Sequence, residues 1–200
     1  MNRRLILFLS LAIIIALLFW YSSVLQRAFY VIADYLNALA TENEPLAIFV
    51  FVLTSALAAL ISPLTNIPLV PIATLIWGPV PTIIFLLAGW LTGDIIAYLI
   101  GRYFGYKAVS YFVSTEKLDN WSSMVKKHTT FSTALLLRVA LPAELGYAFG
   151  IIRYPLNLYI FITFLAELPF AIISTYASEA VLIGDTLKFF GLIGILFIVI

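Results

Sequence analysis

The sequence predicts an all-α integral membrane protein, built of transmembrane helices and two inverted re-entrant helical hairpins. Three observations carry this. Of the 200 residues, 64% are hydrophobic and only 10% charged, whereas a soluble domain carries about 25% charged residues. Leu46 to Gly93 runs 48 residues without one charge, yet holds five of the nine prolines. The order of a broken apolar segment followed by an intact one then occurs twice, in opposite orientations.

The elements follow in chain order. Arg3 and Arg4 precede 21 uncharged residues, Leu5 to Leu25. About 20 apolar residues span a bilayer, and no small-residue cleavage site follows. Residues 1–25 are therefore expected to be a retained signal-anchor helix rather than a cleaved leader. Residues 26–45 mix Arg27, Asp34, Glu42 and Glu44 with Phe29, Val31, Ile32, Tyr35 and Leu36, the pattern of an amphipathic helix lying on the membrane and ending near Pro45.

Residues 46–186 form the main membrane domain. Pro63, Pro68, Pro71, Pro79 and Pro81 each remove a backbone donor. Irregular backbone survives at membrane depth only where protein or water satisfies it. Leu46 to Ile61 is expected to enter the membrane and Ser62 to Pro81 to turn and leave by the same side, a hairpin over 46–81. Two short spans joined by a loop are the alternative, which the lack of any loop charge disfavours. Thr82 to Arg102 reads as a span. Lys107 to His128 is the most polar stretch and is expected at the water-exposed surface. Phe131 to Arg153 carries Arg138, Pro142, Glu144, Gly146 and Gly150, which makes residues 131–155 a second re-entrant hairpin. Leu156 to Ser178 is a span interrupted by Glu167 and Pro169, and residues 187–200 are a last apolar segment.

Orientation links these elements. Basic residues favour the cytoplasmic side, so Arg3 and Arg4 hold the amino terminus there. Residues 26–45 then lie outside, and the first hairpin enters the membrane from that side and returns to it. Lys107, Lys117, Lys126 and Lys127 return to the cytoplasm, and the second hairpin enters from that side. A broken segment and a span, repeated with inverted topology, is the arrangement of many secondary transporters. In a prokaryote the location would be the plasma (inner) membrane, with several passes.

Composition also excludes functions. The chain has no cysteine, one histidine (His128) and a net charge of +1. Disulfide and thiol chemistry is absent, and nothing favours nucleic acid. No serine–histidine–acid set, metal-ligand cluster or phosphate-binding loop is present, so no enzyme activity, cofactor or metal is expected. A homo-oligomer is compatible with this composition.

The informative residues are the ionisable ones at bilayer depth, each costing about 2.5–3.5 kcal/mol to insert. Asp94, Tyr98 and Arg102 are spaced by four and share a helix face. Asp94 reads as a proton or cation site, or as half of a buried pair with Arg138. Gly89, Gly93, Gly101 and Gly105 lie close to that face and permit close helix approach. Arg138, Pro142 and Glu144 form a second group. Arginine's two-pronged fork suits phosphate, while an internal pair with Glu144 or Asp94 is the structural alternative. Glu167, beside Pro169, reads as a second proton site or as a structural hydrogen-bond acceptor.

The string Gly89-Trp90-Leu91-Thr92-Gly93-Asp94, followed by Tyr98 and by Gly101-Arg102-Tyr103-Phe104-Gly105, resembles the first signature of the DedA or VTT-domain superfamily, also called SNARE-associated Golgi proteins. Arg138 and Pro142 with Gly150 resemble its second, arginine-to-proline signature, with one residue more between the two. Leu168-Pro169 resembles a downstream element in which Glu167 stands in place of a glycine. The likeness covers about residues 46–186. It implies two facing re-entrant hairpins, with membrane lipids as partners. The implied activity is scrambling of phospholipid or proton-coupled flipping of polyprenyl phosphate. Bacterial members proposed to be proton-coupled often carry acids in the first hairpin, and Ser62 to Pro81 has none. Asp94, Glu144 or Glu167 would therefore have to carry protons. Arg138, Pro142, Arg102 and Tyr98 are the expected substrate-binding set. A small-molecule or drug exporter and a scaffold without substrate remain as alternatives.

Overall fold

The computed structural model describes residues 23–61, 66–111, 113–127, 130–141 and 143–199, and every regular element among them is an α-helix. The signal anchor expected over 1–25 lies, as far as residue 22, outside the described residues, as do His128 and Pro142.

Helix α1 (Ser23–Glu42) leaves Tyr30, Val31 and Tyr35 exposed and buries Leu36. It ends before Pro45, because the proline belongs to the start of the next helix. Asn43 caps α2 (Glu44–Leu60), its side chain accepting from the Leu46 amide at 3.1 Å. Pro45 sits in the first turn, where no amide partner is needed, and Glu44 suits the helix's positive end. Helix α2 stops at Ile61, which is extended. Helix α3 (Leu69–Trp77) follows, and Gly78, at φ +78, separates it from α4 (Pro79–Val109).

Helix α4 runs past the expected end at Arg102. It leaves helical geometry at Gly105, with φ +69, a conformation that glycine adopts without penalty. Helix α5 (Thr115–Lys127) carries the polar stretch. Helix α6 (Phe131–Ala140) ends at extended Leu141, as the residue before a proline prefers. Helix α7 (Leu145–Ile151) is short and buried through Gly150. Helix α8 (Leu156–Leu182) contains Pro169. Gly184, at φ +74, then turns the chain into α9 (Thr186–Val199), which packs back on α8.

Two of these helices, α4 and α8, are long and apolar enough to cross a membrane. Each packs against the first limb of the broken pair before it and the second limb of the other pair. Thus α4 meets α2 and α7, whereas α8 meets α6 and α3. Small residues make the α2–α4 and α4–α7 contacts possible. A β-carbon on Gly93 would lie 2.3 Å from the Ala56 carbonyl oxygen, and one on Gly89 2.4 Å from the Ser55 β-carbon. A β-carbon on Gly101 would lie 2.2 Å from the Tyr147 carbonyl oxygen, and one on Gly150 2.0 Å from that of Tyr98. Gly105 differs from these four, since a β-carbon there would meet nothing within 4 Å. It serves the kink, not a contact.

The opposed atoms at Gly101 are backbone and cannot step aside. Gly101→Ala is expected to cost about 1–3 kcal/mol, as overpacking usually does, and to lower the thermal unfolding midpoint in detergent. Gly191→Ala, at a position with open space, should leave it unchanged.

Apolar side chains form two cores. One gathers Tyr98, Tyr147, Phe149, Tyr159 and Ile162 beneath α5, and the other gathers Phe51, Val70, Leu86 and Ala171. Along α4 the two cores lie on either side of Asp94, and along α8 on either side of Glu167. The ionisable groups occupy the waist between them.

Candidate functional site

At that waist three helices bring three charges together. Arg138, in the last turn of α6, donates from Nη2 to Asp94 Oδ2 on α4 and to Glu167 Oε1 on α8, the second bond at 2.8 Å. All three residues are buried. One guanidinium thus faces two carboxylates, and the fully ionised trio carries one excess negative charge. Its hydrogen bonding is also incomplete. Arg138 Nε, Asp94 Oδ1 and Glu167 Oε2 are buried without a partner among the described residues. A buried unsatisfied polar group costs about 1–3 kcal/mol, more when charged, so the trio is poised rather than saturated.

A cavity of about 240 Å³ opens onto it, lined by Arg138, Glu167, Asn66, Trp90, Ala143 and Phe170 among others. Asn66 is fixed in this wall by its own bonds. Its Nδ2 donates to Ser55 Oγ at 2.7 Å, and its Oδ1 accepts from Trp90 Nε1 at 3.2 Å. This network ties the start of α3 to α2 and α4. Sequence reasoning missed Asn66, although a signal existed: it is the only carboxamide in the charge-free run from Leu46 to Gly93.

The other expected site residues lie elsewhere. The Tyr98 hydroxyl donates to the Tyr154 carbonyl and accepts from Arg102 Nη1 at 2.6 Å. Its ring stacks on Tyr159 at 4.9 Å. Tyr159 in turn donates to the Asp94 backbone oxygen at 3.2 Å. Tyr98 and Arg102 therefore brace α4 against the α7–α8 turn, and neither lines the cavity. Eight residues of helix advance about 12 Å, which carries Arg102 beyond Asp94's reach. Glu144 is buried at the start of α7, yet Arg138 pairs with Asp94 and Glu167 and not with it. Among the described residues no group of acidic or histidine side chains could hold a metal ion.

Compared with known proteins, the sequence matches the VTT domain family over residues 46–180. That is 135 of the 200 residues, and the match spans both broken pairs and both long helices. No curated protein and no solved structure matches the chain. This is a helical protein of a kind usually found in membranes, with a buried arginine–carboxylate cluster at its centre. The chain belongs to the VTT-domain family, the domain of the DedA and SNARE-associated Golgi proteins.

Proposed function

We propose that the chain is a multi-pass membrane transporter that moves a phosphate-bearing lipid between leaflets, coupled to protons and without a covalent step. The observation that carries this is the incompletely bonded Arg138, held by two buried carboxylates beside a small cavity. The exchanged packing of the broken pairs supports two re-entrant hairpins of inverted topology. Such repeats place a substrate site near the bilayer midplane.

The mechanism follows from competition. A phosphate headgroup and the two carboxylates want the same guanidinium. With both acids ionised the site is net negative and repels an anion. A proton on Glu167 or Asp94 cancels the excess charge and turns that carboxyl into a donor. Arg138 can then offer its fork to phosphate, the geometry that arginine binds best. Protons and headgroup thereby favour each other's binding, and such linkage is reciprocal. The cavity falls short of the roughly 300–1,000 Å³ of drug-sized sites. That fits a headgroup whose tails lie outside this cavity.

One observation favours a second reading. The ion cluster is internal, as a purely structural brace in a scaffold would be. Purified protein in liposomes separates the two. The expected result is translocation of a fluorescent phosphodiester lipid that protein-free vesicles do not show, accelerated by a pH gradient. Headgroup movement at the protein-free rate under both conditions would leave the scaffold standing.

A further inference from the structure

Three cavities lie end to end along α8. The ion cavity is lined by Ile67, which also lines a second cavity of about 260 Å³ between α3, α8 and α9. That second cavity shares Val181 and Phe189 with a third, of about 400 Å³, at the α8–α9 turn. The walls on α8 are Phe170, Ile173, Ala177 and Val181, three or four residues apart, and so form one stripe of the helix. From Glu167 to Leu182, the end of α8, is 15 residues, about 22 Å of helix. That is most of the roughly 30 Å hydrocarbon thickness of a bilayer.

We propose that this furrow seats one hydrocarbon chain of the lipid whose phosphate enters the ion cavity. The assignment rests on the lipid-transport reading and adds where the tail lies. The furrow begins where a headgroup would sit. Beyond that point its lining is mostly apolar, with Asp185 and Thr186 at the exposed far end. The Ser174 and Ser178 hydroxyls donate to carbonyls of their own helix, at 3.2 and 2.8 Å, and Asp185 Oδ1 accepts from the Lys188 amide at 2.9 Å. The outer wall is pinned, because Lys188 bonds Glu179 at 2.7 Å and lies over the Tyr176 ring, holding α9 to α8. The second cavity, between α3 and α9 over α8, joins the two ends. The furrow gives no hydrophobic driving force, since the chain is already in lipid. Its effect is to fix which way the tail points when the phosphate meets Arg138.

The test blocks the furrow and leaves the ion cavity alone. Val181→Trp and Ala177→Phe put bulk into the walls. Hexadecyl phosphate, which needs both regions, is the translocated probe in proteoliposomes. Butyl phosphate, which reaches only the ion cavity, is the competitor. The expected result is a fall in hexadecyl phosphate transport of about tenfold, equivalent to 1.4 kcal/mol, with the butyl phosphate inhibition constant unchanged. A photoreactive group at the end of the hexadecyl chain should label the wild-type protein near Phe189, even if a variant fails to fold. Unimpaired transport in both variants, or labelling spread evenly over all lipid-facing helices, would overturn the furrow while leaving the headgroup site standing. Failure of butyl phosphate to inhibit the wild type would instead remove the transport reading beneath it.

Discussion

Arg138→Lys is expected to fold as well as the wild type and to lose most of its lipid transport, by about tenfold or more. The geometry explains both halves. A single nitrogen, Nη2, bridges Asp94 and Glu167. An ammonium has three donors, so a lysine nitrogen can take over that bridge and keep both carboxylates paired. What it cannot supply is the second prong and the unspent Nε. Those are the groups left for a phosphate once a carboxylate lets go, and a lysine at a bidentate site is not a conservative change. Arg138→Met should differ sharply. It strands two buried carboxylates, and breaking a buried pair typically costs about 3–5 kcal/mol. Combining Arg138→Met with Asp94→Asn and Glu167→Gln should recover much of that stability, because buried ion clusters are often dispensable to folding. The measurement pairs thermal unfolding in detergent with lipid translocation in liposomes. Transport by the lysine variant at the wild-type rate would count decisively for a structural brace.

How much of this was legible in the sequence depends on distance along the chain. Helical class and family could be read directly, because charge depletion, proline placement and the Gly89 to Gly105 string are local. Asp94, Arg138 and Glu167 stood out because ionised groups are rare in apolar runs. Their partnership did not. Asp94 and Arg138 are 44 residues apart, Arg138 and Glu167 are 29, and helical periodicity ranks neighbours only within one helix. It put Tyr98 and Arg102 on Asp94's face, whereas Arg102 bonds the Tyr98 hydroxyl and Asp94 bonds Arg138. Glu144 was the sequence neighbour of Arg138, yet the extended backbone at Leu141 ends α6 and separates the two. Gly105 shared the spacing of the packing glycines, and only its positive φ reveals a kink. Asn66 escaped notice because its importance lies in joining Ser55 and Trp90, two residues that look unremarkable alone.

Glu167→Gln should abolish coupling to the pH gradient while sparing movement itself. Glutamine has the shape of a protonated glutamate and cannot gain or lose the proton. In the variant Asp94 and Arg138 remain paired one to one, so the cluster loses its excess negative charge. Thermal stability should equal or exceed that of the wild type, since an uncompensated buried charge is removed. The anion site is then permanently available. A lipid driven by one proton can accumulate about tenfold per pH unit, because each unit is worth about 1.36 kcal/mol. The wild type should approach that limit with a phosphodiester headgroup, whose own charge does not change near neutral pH. Glu167→Gln should equilibrate the same lipid between leaflets with no accumulation at any gradient. Asp94→Asn provides the comparison, because Arg138 then pairs with Glu167 alone at 2.8 Å. Loss of coupling in Asp94→Asn with full coupling in Glu167→Gln would move the proton to Asp94. A gradient response surviving both replacements would place the coupling group outside this cluster, with Glu144 next in line as the remaining buried carboxyl among the described residues, at the start of α7.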